Sequence, residues 1–137
     1  MLISPYLSFD GRCEEAFKFY QSIIGGEIVA MMKARGSPME AHCKPDQLDN
    51  IMHARLKVGD QYLMASDTPP EHQKKTQGMT VTLEPATLSE AERIFKGLSA
   101  GGTVEMAPQP TFWSSGFGMF TDKYGTPWMI NCAQPPA

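Results

Sequence analysis

Hydrophobic side chains recur at every third or fourth position in two stretches of the chain, residues 10–26 and residues 87–102. This spacing places them on one face of an amphipathic helix. In the second stretch, Thr87 and Glu90 have the spacing of a capping box, which closes a helix N-terminus. A glycine pair follows each apolar stripe, and glycine is common where helices end. The pattern therefore predicts one helix in each half of the chain.

Hydrophobic and polar residues alternate in the segments around these helices, which indicates strands with two different faces. Each half has one such segment before its helix and three after it, so both halves read βαβββ. The predicted strands are residues 2–9, 27–33, 51–58 and 62–66 in the first half, and residues 79–84, 103–107, 117–122 and 126–132 in the second.

The two halves also resemble each other in amino-acid sequence. The stretch EEAFKFYQSIIGGEIVAM aligns with SEAERIFKGLSAGGTVEMA after one insertion, and VGDQYLMA aligns with YGTPWMIN, which sets Tyr62 against Trp128. A repeat of this length is one supersecondary unit used twice and not a solenoid period. We therefore predict a single α+β domain over residues 1–137, built of repeats 1–67 and 78–132.

Composition and charge exclude several classes of protein. The chain has 137 residues, a net charge of −3 and no block of Lys or Arg, so no nucleic-acid partner is expected. No apolar stretch is long enough to cross a bilayer, and the start of the sequence lacks the pattern of a signal peptide. Three cysteines at irregular spacing then favour reduced thiols and a cytoplasmic location.

The predicted strand 51–58 separates apolar from polar side chains. One face is expected to pack under a helix, and it carries Met52, Ala54, Leu56 and Val58. The other face carries His53, Arg55 and Lys57, and the same alternation adds Tyr6, Thr82 and Glu105 from other strands. A mixed polar surface with aromatic residues at its border is typical of a small-molecule site.

Each candidate residue brings a different chemistry. Arg55 is suited to clamp a carboxylate or a phosphonate through a forked pair of hydrogen bonds. His53 is suited to hold or move a proton near neutral pH, and Glu105 to orient that histidine or to accept the proton. Trp113 and Phe117 are placed at the wall of the site, because the glycines beside them leave the backbone open. A solvated or purely structural face stays open as the alternative.

Four stretches carry a resemblance to a known family: SPYLSFDGRCEEAFKFYQSIIGGE, HARLKVGDQYLMASD, GGTVEMAP and TFWSSGFGMFTDKYGTPWMIN. With the doubled βαβββ order, they resemble the vicinal oxygen chelate superfamily, which includes glyoxalase I, bleomycin-binding proteins and extradiol dioxygenases, and within it the PhnB-like subgroup. The resemblance implies two curled mixed sheets, each with its helix on the convex face, whose concave faces form a cleft. It also implies that such units pair, so that a homodimer is expected.

The wider superfamily binds a divalent metal through His, Gln or Glu side chains from the first and last strand of each half. In the corresponding strands here, Glu84 is the only strong ligand type, and it lies at a strand end. His53 and Glu105 together would give two ligands, whereas catalytic zinc normally has three from the protein. No residue is therefore assigned as a metal ligand, and a divalent metal stays open as a cofactor.

The resemblance implies two functions of different classes. The first is a small-molecule-binding protein that holds an organic ligand in the cleft, with ligand-binding residues Tyr6, Arg55, Thr82, Trp113 and Phe117. The alternative is an enzyme of the lyase, isomerase or dioxygenase type that acts on a small oxygenated substrate, with His53 and Glu105 as the catalytic residues and a metal as a further aid.

Three further points follow from the resemblance. A structural or interaction protein is a third alternative, and it would need a cleft filled by its own side chains. PhnB-like proteins are sometimes labelled as ubiquinone-pathway methyltransferases, but this sequence lacks the glycine-rich strand-to-helix turn of an adenosyl-cofactor fold. Residues 34–49 form the longest loop of the first half, and their role as a lid over the cleft stays open.

Overall fold

Two compact units make up the chain, and each has one helix and one four-stranded sheet. The computed structural model describes residues 1–133; the first unit spans Met1–Lys74, and the second begins at Lys75. The predicted domain extends to residue 137, so its residues 134–137 lie outside the described part. The elements of the first unit are β1 (Tyr6–Phe9), α1 (Cys13–Ile24), β2 (Glu27–Lys33), β3 (Ile51–Val58) and β4 (Gln61–Asp67). Those of the second are β5 (Val81–Leu83), α2 (Leu88–Ser99), β6 (Thr103–Gln109), β7 (Ser114–Thr121) and β8 (Pro127–Ala133).

Both sheets are mixed, and they share one topology. The strand order is β1-β4-β3-β2 in the first unit and β5-β8-β7-β6 in the second. The first and last strands of each unit run parallel to each other, and the other pairs are antiparallel. The predicted α+β fold of two similar βαβββ modules is therefore confirmed.

Helix α1 lacks a capping side chain of its own, and Asp67 at the end of β4 takes that role. Its Oδ1 accepts hydrogen bonds from the backbone N–H of Gly11 at 2.9 Å and of Cys13 at 3.0 Å. Its Oδ2 accepts from the N–H of Ile51 at 2.8 Å. A carboxylate at a helix N-terminus also interacts favourably with the helix dipole. One buried side chain thus joins the loop after β1, the start of α1 and the start of β3.

Helix α2 is capped locally, as its sequence predicts. The Thr87 hydroxyl accepts a hydrogen bond from the backbone N–H of Glu90 at 3.2 Å. Within residues 1–133, no helix combines the length and the apolar character that crossing a membrane requires.

The side of each sheet that faces the helix forms the hydrophobic core of its unit. In the second unit the rings of Phe95 and Phe120 meet edge to face, with centroids 4.9 Å apart. Trp128 and Ile130 are buried there, as predicted. The buried side chains of the first unit include Phe9, Phe17, Tyr20, Ile51, Ala54, Leu56 and Leu63.

The predicted apolar face of β3 is correct at its centre and wrong at its ends. Ala54 and Leu56 are buried, but Met52 is 36% exposed and Val58 is 37% exposed. The pairing of β2 with β3 shifts register next to Met52, and Ile51 takes the buried position instead. Strict alternation cannot anticipate such a bulge.

The alignment of Tyr62 with Trp128 is also wrong, because the two side chains lie on opposite faces of their sheets. Tyr62 pairs with Lys57 on the side away from α1, whereas Trp128 is fully buried. A two-residue turn joins β3 to β4, but residues 122–126 join β7 to β8. In that longer loop, buried Asp122 accepts a hydrogen bond from the Trp128 indole N–H at 2.8 Å.

The glycines of β7 do not open the backbone beside Phe117, contrary to expectation. Gly116 and Gly118 alternate with Phe117 and are buried on the side of α2. An added Cβ would stand 2.5 Å from Leu88 Cδ1 at the first glycine and 2.6 Å from Phe95 Cε2 at the second. These glycines therefore let α2 pack closely on the sheet.

The loop between β2 and β3 is closed at its base. The N–H of Ala34 donates to the carbonyl of Asn50 at 3.1 Å, and that of Arg35 donates to Leu48 at 2.8 Å. The Arg35 side chain donates to Asp49 at 3.0 Å, and this hydrogen bond and ion pair lower the pKa of the Asp49 carboxyl. The pair is exposed, so it contributes little to stability.

Candidate functional site

The side of the first sheet opposite α1, here called the helix-free face, gathers a polar and aromatic cluster. Tyr6 of β1 pairs with Met64 of β4, and Met64 pairs with Arg55 of β3. His53 lies two residues before Arg55, and Tyr62 lies two residues before Met64, so both point to the same side. We call these five residues the Arg55 cluster. Three of them, Tyr6, His53 and Arg55, are site residues predicted from the sequence.

Tyr6 and His53 form a stacked pair within this cluster. The ring centroids are 5.9 Å apart with an interplanar angle of 26°, and the Tyr6 hydroxyl lies 3.3 Å from His53 Nδ1. A tyrosine hydroxyl and an imidazole nitrogen can each donate or accept, so the tautomer of His53 decides which of the two groups donates. The Nε2 atom of His53 takes no part in this contact.

Arg55 is held in place by two neighbours on β4. Its guanidinium carbon stands 4.7 Å from the centroid of the Tyr62 ring, and its Nε donates to Met64 Sδ at 3.4 Å. The side chain is half-buried. Within the described residues, Arg55 forms no ion pair. A fixed positive charge, partly removed from water, therefore faces the helix-free side without a negative partner in that part of the chain.

The second unit holds the other predicted binding residues. Thr82 is exposed on β5, opposite Met129 of β8. Phe117 of β7 lies opposite Asn131 of β8. Trp113, just before β7, is 47% exposed, and its ring meets that of Phe117 edge to face at 5.3 Å. These residues give the second sheet an aromatic surface away from α2.

The two predicted catalytic residues belong to different units, and each has a partner inside its own. Glu105 Oε1 accepts a hydrogen bond from the Thr121 hydroxyl at 2.8 Å in the second unit. His53 has Tyr6 in the first unit. The pairing of Glu105 with His53 stays a prediction.

Tyr62 and Met64 are the members of the Arg55 cluster that the sequence analysis missed. The sequence alignment set Tyr62 against Trp128, and Met64 was assigned to no face. A two-residue turn at 59–60 fixes the register, with Val58 opposite Gln61 and therefore Arg55 opposite Met64. The sequence therefore contains the information that places Met64 and Tyr62 beside Arg55. It becomes visible when the pairing of β3 with β4 is counted residue by residue from the turn.

The donor groups on the first and last strands of each unit do not fit the metal quartet of the superfamily. Their side chains away from the helices include Tyr6, Ser8, Tyr62, Met64, Ser66, Thr82, Met129 and Asn131, and none of these is a His, Gln or Glu. Glu84, just after β5, accepts a hydrogen bond from Asn131 Nδ2 at 3.2 Å. Among residues 1–133, no three His, Cys, Asp or Glu side chains come together as metal ligands would.

The Cys13 thiol does not act as a nucleophile at neutral pH. Burial first, and then the charges of Asp67 and Glu14, raise the pKa of the Cys13 thiol to about 12. A thiol protonated at neutral pH is unreactive, since the thiolate is the nucleophile. Cys13 and Cys132 are buried, and Cys43 lies half-buried in the loop between β2 and β3.

Known proteins match this chain along nearly its whole length. The profile of the 3-demethylubiquinone-9 3-methyltransferase family matches residues 2–131. Protein YjdN of Escherichia coli (strain K12) is 37% identical over 139 residues, which cover 96% of this chain and 95% of that protein.

Solved structures share the fold. Protein PA1353 from Pseudomonas aeruginosa is 45% identical with a TM-score of 0.90, covering 98% of this chain and 99% of that one. The PhnB protein from Bacillus cereus is 27% identical with a TM-score of 0.81, covering 97% and 100%. At 13% identity, a glyoxalase/bleomycin resistance protein/dioxygenase family enzyme from Burkholderia phytofirmans shares the fold alone, with a TM-score of 0.66 over 96% and 97% of the two chains. The chain therefore belongs to the 3-demethylubiquinone-9 3-methyltransferase family, and with it to the PhnB-like members of the vicinal oxygen chelate superfamily.

Proposed function

We propose that this protein binds a small organic molecule with an anionic group, held on the helix-free face of its first sheet. The observation that carries this proposal is the half-buried guanidinium of Arg55, which Tyr62 and Met64 hold in place and which has no ion pair in the described residues. Such a group attracts a carboxylate or a phosphonate through charge-assisted hydrogen bonds. His53 adds a second polar group through its Nε2 atom, which does not contact Tyr6.

The second unit holds the other residues proposed to bind a ligand. Thr82, Trp113 and Phe117 lie on the side of its sheet away from α2. An exposed indole edge to face with a phenyl ring offers a ligand a flat apolar surface. This surface suits an aromatic or other apolar group.

An enzyme is the second candidate, and the Tyr6–His53 contact favours it. A histidine that is hydrogen-bonded to a neighbouring side chain resembles the acid–base groups of many active sites. In this candidate, His53 would transfer a proton to or from a small oxygenated substrate, with Glu105 as a further acid–base group. A divalent metal stays open as an aid to that reaction.

The family is described as a methyltransferase, and the turn before α1 is relevant to whether this protein could bind the adenosyl cofactor of such an enzyme. Folds that bind an adenosyl or nucleotide cofactor use backbone N–H groups at the turn from the first strand into its helix. Here the N–H groups of Gly11 and Cys13 at that turn are hydrogen-bonded to Asp67. This occupied turn supports ligand binding over methyl transfer as the proposed function.

The expected homodimer and cytoplasmic location belong to the same proposal. Free thiols at Cys13, Cys43 and Cys132 suit a reducing compartment. Open edge strands and exposed apolar side chains such as Met32 and Val104 are the features that a partner copy would cover. Light scattering coupled to gel filtration measures the mass of the particle, and a monomer at micromolar concentration would contradict the dimer.

Calorimetric titration with phenylphosphonate and benzoate tests the proposed function, with neutral benzamide as the matched ligand control. We expect both anions to bind the native protein and benzamide to bind far more weakly. Arg55→Gln and His53→Ala should each weaken anion binding by about tenfold or more, because each removes a hydrogen-bond donor to a charged group. Arg93→Gln, which removes an exposed cation in the second unit, is the matched control and should bind like the native protein. Anion binding unchanged in Arg55→Gln would contradict the proposal.

A separate experiment tests the enzyme candidate. The same titrations after treatment with a chelator, and after addition of Mn²⁺ or Zn²⁺, separate metal-independent from metal-assisted binding. Anion binding that persists at full strength without metal supports the binding protein. Binding that appears only with metal supports the metal-assisted enzyme.

A further inference from the structure

We propose that Tyr62 and Met64 are positioning residues that leave only the end-on fork of the Arg55 guanidinium free, so that the site selects a head group with two coplanar oxygens. This inference rests on the function proposed above. It names the chemical class of the head group, a carboxylate or a phosphonate bound in the plane of the guanidinium, and it assigns a role to two residues outside the predicted site.

The geometry of the guanidinium limits how it can bind an anion. The group is planar, and its N–H bonds form two in-plane forks. One fork combines Nε with one terminal nitrogen, and the other combines the two terminal nitrogens. Because Nε already donates to Met64 Sδ at 3.4 Å, the first fork is half used. The fork made by the two terminal nitrogens remains for a ligand.

Tyr62 restricts the movement of the guanidinium. The guanidinium carbon of Arg55 lies over the Tyr62 ring, 4.7 Å from its centroid. Tyr62 is in turn held by its strand, opposite Lys57 and two residues after the β3–β4 turn. Both side chains are half-buried, so their alternative rotamers are restricted. A long side chain that normally loses rotamer entropy on binding is thus ordered before the ligand arrives.

Charge around the cluster points to the same class of ligand. Lys57 lies two residues after Arg55 on the same side of β3 and forms no ion pair in the described residues. Glu27 is opposite Lys57 in register and likewise has no ion pair there. Arg55 therefore provides the directional contact, and Lys57 adds attraction without direction. A two-oxygen anion uses both, whereas a neutral acceptor uses neither fully.

Three variants test the positioning role by calorimetric titration with phenylphosphonate. Arg55→Lys keeps the positive charge but loses the fork, and we expect it to weaken binding by about tenfold. Tyr62→Leu removes the ring, and we expect a loss of about fivefold, in the range of a partly desolvated cation–π contact. Tyr62→Phe keeps the ring without the hydroxyl, and its affinity should stay within about twofold of the native protein.

Salt dependence separates a loss of positioning from a loss of charge. In Tyr62→Leu the charge of Arg55 is retained, so the slope of log Kd against log salt concentration should equal that of the native protein while Kd itself rises. Circular dichroism confirms that each variant is folded. Should Tyr62→Leu fail to fold, Arg55→Lys still decides the question, because it leaves the ring and the strand intact.

The outcomes separate this inference from the function on which it rests. Loss of phenylphosphonate binding in Arg55→Gln together with native affinity in Arg55→Lys would overturn the end-on fork and leave the binding function standing. Native affinity in Tyr62→Leu would overturn the positioning role in the same way. Native affinity in Arg55→Gln would contradict the proposed binding function itself.

Discussion

Replacing Asp67 with Asn should destabilise the first unit far more than a loss of one exposed charge would. The carboxylate accepts hydrogen bonds from three backbone N–H groups, those of Gly11 and Cys13 on Oδ1 and that of Ile51 on Oδ2, at 2.8 to 3.0 Å. An amide has one acceptor oxygen in place of two. If that oxygen keeps Gly11 and Cys13, its –NH₂ group faces the N–H of Ile51, donor against donor.

The size of the effect follows from the groups left without partners. The lost bond to a charged acceptor is worth about 1.5–3 kcal/mol, and an unsatisfied buried N–H adds a cost of about 1–3 kcal/mol. Relaxation of the site and the two bonds that remain reduce the sum, so we expect a decrease in the free energy of unfolding of about 2–4 kcal/mol. Domains of this kind are stable by about 5–15 kcal/mol, so the first unit would lose a large share of its stability.

Urea unfolding followed by far-ultraviolet circular dichroism measures this change. Both tryptophans, Trp113 and Trp128, lie in the second unit, so tryptophan fluorescence recorded on the same samples follows that unit separately. Asp60→Asn removes an exposed carboxylate from the β3–β4 turn and is the matched control, with an expected change of no more than about 0.5 kcal/mol. Equal unfolding midpoints for the Asp67 and Asp60 variants would refute the reasoning.

Two further predictions concern the core and the response to pH. Gly118→Ala should lower the free energy of unfolding by about 1–3 kcal/mol, because the new Cβ would meet the ring of Phe95. Urea unfolding measures this change. A variant as stable as the native protein would contradict the close approach of α2 to β7. The raised pKa of Cys13 favours the folded state fully below about pH 9, the ordinary value of a free thiol, and this contribution is lost as pH rises towards the folded pKa of about 12. Cys13→Ala should therefore lose less stability than the native protein between neutral and strongly alkaline pH, and parallel stability curves in urea titrations across that range would contradict it.

The sequence predicted the elements well because periodicity is a local property. Strand β2 has the predicted bounds, residues 27–33, and so does β3, residues 51–58. The predicted strand 2–9 is shorter in the structure and begins at Tyr6. Pro5 just before that residue lacks the N–H that a strand would use, which explains the late start.

The periodic pattern of hydrophobic residues could not predict features that depend on contacts between distant segments. Asp67 looked like the polar end of a strand, and only the meeting of β4, α1 and β3 gives it three hydrogen bonds. The glycines of β7 are permissive in isolation, and their use becomes clear only when α2 covers them. Bulges are equally invisible, and the one beside Met52 changes which residue faces the core.

The candidate site was predicted in part for a related reason. Alternation placed His53 and Arg55 on one face of β3 and Tyr6 on the matching face of β1, and strand pairing brings these side chains together. Alternation could not predict which side chain contacts each of these groups. The contact of Tyr6 with His53 and that of Tyr62 with Arg55 depend on the order of strands across the sheet, with β4 between β1 and β3.

The duplicated unit explains why charge and aromatic surface are divided between the two halves. Positions that face a helix are constrained by close contacts, such as those of Gly118 with Phe95 and of Leu56 in the first core. Positions on the helix-free side do not face a helix, so the two copies of the scaffold can carry different side chains there. In the first unit β3 presents Arg55 and its cluster, whereas the matching side of β7 presents Phe117 beside Trp113. The same scaffold therefore presents a charged surface in the first unit and an aromatic one in the second.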